Sequence, residues 1–227
     1  MSFCNEVAYA VPSNPALNIS QLSEIYDSNA QALYQNFSYS LDLVQCDTAS
    51  EQMYSLAVGC SDCAAAYKQW LCAVTIPRCA DFSNQASFLQ PRNAAQAFLN
   101  GTALSANDPL VQSFANNASR NPIIDSEIKP GPYKEILPCQ YLCNELVRTC
   151  PAALGFTCPT GRYLNISYGF PDPNGDITCS YLGAAYYLNA GSRLVDHRGI
   201  GLGFSVLSDN TLLLLGFWIG LWILIWT

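Results

Sequence analysis

Eleven cysteines in 227 residues constrain this chain more than any other feature of it. They come with five Asn-X-Ser/Thr acceptor sequons, at Asn18, Asn36, Asn100, Asn117 and Asn165. Disulfide bonds and asparagine-linked glycans both belong to the secretory pathway, so together the two features predict an extracellular, disulfide-stapled glycoprotein. Sulfur is used most densely in residues 138–158, PCQYLCNELVRTCPAALGFTC. Read as a helix opening at Pro138, this stretch places Cys139, Cys143 and Cys150 on nearly one stripe of a 3.6-residue period. Leu142 and Leu146 lie along the same side, whereas Asn144, Glu145 and Arg148 turn away, so the helix is expected to dock by its cysteine and leucine face. Pro138 at the first helical position and Pro151 past the end set its predicted limits.

Two further helices are predicted. Leu22, Ile25, Tyr26, Ala30, Leu33, Tyr34, Phe37 and Leu41 recur at spacings of three and four, with Asn18 or Ser20 as the cap, Ser20 being the better one if Asn18 carries a glycan. A second helix spans about Ser61 to Ala73, capped by Ser61 or Asp62 and stopped before Pro77. Cys63 and Cys72 stand half a turn out of phase on it, so each should bond in a different direction. Pro12 and Pro15 keep residues 3–17 extended or irregular. From about 81 to 133 the composition shifts to Asn, Ala, Ser, Gln and Pro. Apart from a short helix at Asn93 to Leu99 ending at Gly101, this reads as a long irregular insertion on the surface and as the best candidate contact surface. The segment between Cys158 and Cys179 is turn-rich.

The formal charge of −7 excludes nucleic-acid binding, since nothing here would neutralise a run of phosphates. The N-terminus has neither a basic nor an apolar signal region, so an upstream part of the protein is expected. Residues 181–210 read as a linker and 211–227 as a hydrophobic tail. Leu212 to Trp226 is apolar and uncharged, short for a spanning helix, and fits either a cleaved glycolipid-anchor signal or a retained membrane segment.

Chemistry-bearing patterns are weak. Cys60-Ser-Asp-Cys63 has the spacing of a zinc or redox pair but lacks a second pair, and His197 is the sole histidine. Two separate structural disulfides are the favoured reading. His197 reads as a solvated loop residue, Gly199-Ile-Gly201-Leu-Gly203 as a flexible linker, and Asp172, Asn174 and Asp176 as a polar turn. No nucleophile elbow, zinc-protease helix or carboxylate pair stands out, so no enzyme activity, cofactor or metal is expected.

Cys63-x8-Cys72-x6-Cys79 with Trp70-Leu71-Cys72 and Pro77-Arg78-Cys79, followed by Pro138-Cys139-x3-Cys143-x6-Cys150, resembles the frizzled-type cysteine-rich domain. FCNEVAYAVPSNP, AAAYKQWLCAVTIPRC and LPCQYLCNELVRTCPAALGFTCP together resemble the C-terminal part of the fungal stretch-activated calcium-channel regulatory component, the mating-pheromone-induced-death protein family. Its animal relatives are auxiliary subunits of the sodium-leak channel. The resemblance covers about Phe3 to Cys179. It implies a mainly α, disulfide-rich, frizzled-like domain over residues 3–180, with the insertion at about 81–133. By the same resemblance the chain is an auxiliary subunit at the extracellular side of the plasma membrane, supporting calcium influx by binding a pore-forming four-repeat channel subunit. A cell-surface receptor module for a secreted ligand is the alternative. The insertion is longer, and the Cys150 to Cys158 loop shorter, than in signalling frizzled modules, so no lipidated ligand is carried over.

The resemblance also implies a pairing: Cys4 with Cys72, Cys63 with Cys150, Cys139 with Cys179, and Cys143 with Cys158. Cys46 and Cys60 are extra and could bond each other. Cys79 would pair with a cysteine upstream of Met1. Non-reducing peptide mapping of the longer native protein should find Cys79 joined to that upstream residue, and a bond from Cys79 to any cysteine within residues 1–227 would sink the scheme.

Overall fold

The structure is a computed structural model that describes residues 1–44 and 57–183. Cys46, His197, the glycine run, nearly all of the expected linker and the whole hydrophobic tail lie outside the described residues. The elements run α1 (Ile19–Leu41), α2 (Cys60–Thr75), β1 (Arg78–Ala80), β2 (Leu89–Arg92), α3 (Pro109–Gln112), a π-helical turn (Ile124–Ile128), β3 (Tyr133–Ile136), α4 (Gln140–Thr149), a 3-10 turn (Ala152–Leu154) and α5 (Arg162–Ser167).

The periodic stripe of α1 does what its spacing demands. Tyr26, Ala30, Phe37 and Leu41 are buried, Leu22, Ile25 and Tyr34 are half-buried, and Leu33 is exposed. Its cap is Asn18, not Ser20. Asn18 Oδ1 accepts from Gln21 N–H at 2.9 Å, and Gln21 Oε1 accepts from Asn18 N–H at 3.0 Å, a reciprocal capping box that satisfies two orphan donors. That cap uses only the side-chain oxygen and leaves the amide nitrogen, where a glycan attaches, out of the hydrogen bond. Asp27 breaks the apolar stripe for a reason the periodicity does not show. Its buried carboxylate accepts from the backbone N–H groups of Ser2 at 2.6 Å, Phe3 at 2.9 Å and Cys4 at 2.8 Å, and so ties residues 2–4 to the helix. Burial alone would raise its pKa, but these donors more than offset that and hold it below the usual aspartate range.

Helix α2 begins earlier than its sequence suggests. Gly59 is the cap residue, and Asp62, three residues on, accepts from Gly59 N–H at 2.8 Å. The opposite phases of Cys63 and Cys72 have the expected effect. Cys72 bonds Cys4, while Cys63 bonds Cys150. Each bridge sits inside its own apolar cluster. Cys4 and Cys72 lie among Tyr26, Ala30, Ile76, Ile124, Ile128 and Tyr133. Cys63 and Cys150 lie among Phe37, Leu41 and Leu146, against which Tyr67, Trp70 and Phe156 pack. Phe37 and Tyr67 stack with centroids 3.7 Å apart and planes within 9°.

The expected helix from Pro138 is shorter at its start. Pro138 stands before the helix, Cys139 is its N-cap and Cys150 its C-cap. Proline at 138 instead belongs to an extended run that continues β3: Gly169 N–H donates to its carbonyl at 2.9 Å, and Cys139 N–H donates to Ser180 O at 2.9 Å. The three sulfurs therefore leave α4 toward three different partners, Cys179, Cys158 and Cys63. The predicted docking face otherwise holds, with Leu142, Cys143 and Leu146 buried. Gly169 fits against the first of these bridges, where a Cβ would come within 2.9 Å of Cys179 Cβ.

Three expectations are corrected. A mainly α fold omits a three-stranded antiparallel sheet ordered β1-β3-β2, with Cys79 opposite Glu135 and Arg92 opposite Tyr133. The stretch 81–133 is also no irregular excursion over the surface. It supplies β2, and its π-helical turn buries Ile124 and Ile128 completely in the first apolar cluster. The short helix expected at Asn93 to Leu99 is absent because Asn93 is left-handed, φ 58°, which no right-handed helix tolerates. Its buried amide is fixed there by bonds to Gln96 Oε1 and Gly131 O. After Cys158, the turn-rich segment contains the unforeseen α5.

Cys63→Ser with Cys150→Ser should lower unfolding free energy by about 2–4 kcal/mol, with loss centred on the α1/α2/α4 cluster. Urea titration read by tryptophan fluorescence checks this, since Trp70 lies in that cluster.

Candidate partner-docking surface

β3 reads Tyr133-Lys-Glu-Ile, and its period of two sends Tyr133 and Glu135 to the same face. That face is inside. Glu135 has no exposed surface, a costly position for a carboxylate unless it is paired. Arg92 Nε, from the end of β2, donates to Glu135 Oε2 at 2.5 Å, and Arg120 Nε donates to Oε1 at 2.8 Å. Burial alone would push the Glu135 pKa up. The two guanidinium charges and their hydrogen bonds outweigh it and hold the carboxylate below its ordinary range. Further guanidinium donors reach backbone carbonyls. Arg92 bonds Ala115 O at 2.5 Å and Ile166 O at 3.1 Å, and Arg120 bonds Ser167 O at 2.8 Å.

This triad organises the stretch between β1 and β3. Arg120 reaches inward from it, and Ala115 is held from within by Arg92. Next to that anchor, Asn116 and Asn117 accept from the N–H groups of Ala94 and Ala95 at 3.0 and 3.2 Å, and both donate back to Ser113 O at 2.9 Å. Gln90 Nε2 also bonds Asn116 Oδ1. Every neighbour of Phe114 is thus fixed, yet Phe114 itself is 94% exposed. An aromatic ring on a hydrogen-bonded loop, with no stacking partner among the described residues, has the geometry of an interface anchor, because a braced support has less conformational freedom to lose on docking.

The structure places the remaining sequence-derived residues as follows. The four disulfides among described residues, Cys4–Cys72, Cys63–Cys150, Cys139–Cys179 and Cys143–Cys158, are the pairs the resemblance implied. Cys60 is disulfide-bonded as well, so the Cys60-Ser-Asp-Cys63 pair serves two separate bridges. Cys79 is the free cysteine among the described residues. It sits half-buried in β1, and burial pushes its thiol pKa up to about 12. Asn18, Asn36, Asn100 and Asn165 are exposed, and Asn117 is half-buried. Asp172, Asn174 and Gly175 form a hydrogen-bonded turn, with Asn174 N–H donating to Asp172 Oδ1 and Gly175 N–H to Asp172 O.

A family model described as a stretch-activated Ca2+-permeable channel component matches residues 1–185. The chain belongs to that family. It is 45% identical over 199 residues to the stretch-activated cation channel yam8 of Schizosaccharomyces pombe, covering 86% of this chain and 36% of that protein. It is 36% identical over 190 residues to the stretch-activated cation channel MID1 of Saccharomyces cerevisiae, covering 81% of this chain and 30% of that protein. A stretch-activated cation channel MID1 of Cryptococcus neoformans matches at 26% identity over 170 residues, 73% of this chain and 26% of that protein. The chain thus spans about a third of the length of the relatives it matches. No solved structure matches this fold.

In this member of the channel-component family, sequence reasoning missed Arg92, Arg120, Glu135 and Phe114. Arg92 and Arg120 lie in a stretch whose polar composition hid its buried contacts, and 43 residues separate Arg92 from the carboxylate it serves. Alternation of Tyr133 with Glu135 is the single local signal, and it does not tell an inward glutamate from an outward one.

Glu135→Gln leaves the buried Arg92 and half-buried Arg120 guanidiniums without their counter-charge and should cost about 3–5 kcal/mol in chemical denaturation. Because the folded-state pKa of Glu135 is lowered, its stabilisation is complete above the unfolded value of about 4.3 and is lost as pH falls through the folded one. Wild-type stability should therefore drop in that acid window, and the Gln variant should show a shallower drop.

Proposed function

We propose that this domain is an extracellular auxiliary subunit that binds the pore-forming, four-repeat polypeptide of a calcium channel and supports calcium influx through it. Membership of a family of stretch-activated Ca2+-permeable channel components supports a role in such a complex. The secretory-pathway chemistry of the disulfides and sequons supports placement on the outer side of the plasma membrane. The spacing and pairing of the cysteines are compatible with a frizzled-like ancestry. In this reading the apolar C-terminal stretch, as a glycolipid-anchor signal or a retained segment, keeps the domain at the membrane.

The observation that carries the docking reading is Phe114, an almost fully exposed ring on a loop braced by Arg92 and by the backbone of Ala94 and Ala95. An apolar socket on an extracellular loop of the pore-forming polypeptide would remove that ring from water. At about 25 cal/mol per Å2, burying a phenyl group contributes roughly 2–3 kcal/mol, enough for a 30- to 150-fold change in affinity.

A deletion from Asn107 to Asn121 is a poor test, because it removes Arg120 from Glu135 and measures folding instead. Phe114→Asp leaves every bracing contact in place. Wild-type protein expressed in fungal membranes should co-purify the channel polypeptide, and Phe114→Asp should reduce recovery at least tenfold with an unchanged melting temperature. Failure of wild type to recover a multi-repeat channel protein defeats the auxiliary-subunit reading; equal recovery by the variant defeats the docking role of Phe114.

A further inference from the structure

A cleft of about 480 Å3 lies between the β2 entry and the segment after α5, with Phe88, Leu137, Tyr168, Phe170 and Pro171 in its walls. Its outer rings stay in water, Phe88 being 38% and Phe170 49% exposed. Asn165, the acceptor of Asn165-Ile-Ser167, is part of the same wall. We propose that this cleft is the seat of a glycan carried by Asn165, and that the first N-acetylglucosamine covers the exposed aromatic surface.

Three observations carry this. Asn165 is exposed and sits at the cleft, so a sugar on its nitrogen begins within reach of the rings. The acceptor is also held still. The carbonyls of Ile166 and Ser167, the other two sequon residues, accept from Arg92 and Arg120 at 3.1 and 2.8 Å, so α5 is fastened to the buried charge cluster. Tyr168, next in sequence, is buried and accepts from Trp70 Nε1 at 2.8 Å. A sugar attached to such a support loses little further freedom by lying down. The cleft chemistry matches as well. One face of a pyranose presents C–H bonds that pack on aromatic rings, while its hydroxyls and acetamido group remain at the water-facing rim.

In the attachment step, Asn165 Nδ2 bonds to the anomeric carbon of a lipid-pyrophosphate-linked oligosaccharide. The carbon–oxygen bond to the pyrophosphate breaks, the lipid pyrophosphate leaves as the anion, and the proton lost by nitrogen passes to a base of the transferring enzyme. Nothing is oxidised or reduced.

This inference rests on the secretory routing proposed above. Peptide mass mapping of the protein from a fungal secretory host should find hexosamine on Asn165. Trimming the folded glycoprotein with an endoglycosidase that leaves one N-acetylglucosamine should leave the melting temperature unchanged. Ser167→Ala, which destroys the sequon but keeps Asn165 and the residue-167 carbonyl, should lower it by about 2–4 °C and raise binding of an apolar fluorescent dye. Ser167→Thr, which preserves the sequon, should restore both. In a Phe170→Ala background, loss of the sugar should cost much less than in wild type. Sugar at none of the five sequons overturns the routing itself. Sugar at other sequons with Asn165 bare overturns this proposal alone, and so does a melting temperature indifferent to the Asn165 glycan or additive with Phe170→Ala.

Discussion

A single buried carboxylate decides how the non-helical half of this domain is arranged. Glu135, at the centre of the middle strand, has no access to water and needs two positive partners to stay ionised. Those partners come from the end of β2 and from the loop that follows α3, so pairing the charge also folds the long stretch between β1 and β3. The guanidiniums then spend their other donors on Ala115, Ile166 and Ser167. Three segments far apart in sequence converge on one acid. An ion cluster of this kind adds little net stability over an apolar replacement, but removing one member is costly, which gives it a specifying role.

The helical half is organised differently. There the long-range connections are covalent, and each disulfide that crosses between elements lies inside an apolar cluster of its own. A small domain with two separate clusters cannot rely on either alone, and α2 joins them because its Cys63 and Cys72 face opposite ways. The Cys4–Cys72 bridge is backed by Asp27, whose carboxylate collects the N–H groups of residues 2–4 and fixes the approach of Cys4. Sulfur, carboxylate and aromatic packing therefore act on the same few residues.

Much of the helical half was legible in the sequence, because helical periodicity is local. The stripe of α1, the opposed phases of Cys63 and Cys72, and the Leu142/Leu146 face of α4 follow from residue spacing within one element. Helix limits were less legible. Gly59 caps α2 where Ser61 or Asp62 was expected, and Asn18 rather than Ser20 caps α1, since the reciprocal bond from Asp62 or Gln21 decides between neighbours. The sheet was illegible for a different reason. Its strands are three or four residues long, too short to show alternation, and β2 carries a proline that marks it as an edge. The region around Asn93 and Arg120 looked like surface because it is polar, and its burial depends on partners up to 74 residues away. Phe114 was hidden by the same composition. An exposed ring is recognisable only once every neighbouring group has been accounted for.

The opposed cysteines of α2 also define a path for force. A pull applied at Cys4 passes through sulfur to Cys72, along α2 to Cys63, and through sulfur again to Cys150 at the end of α4. Both crossings between elements are covalent, so neither can slip as a packed or hydrogen-bonded contact would. The only part of that line able to lengthen is the stretch of α2 between the two cysteines, by uncoiling. Helix α2 is thus tied covalently near both ends, on one side to the N-terminal segment and on the other to the end of α4.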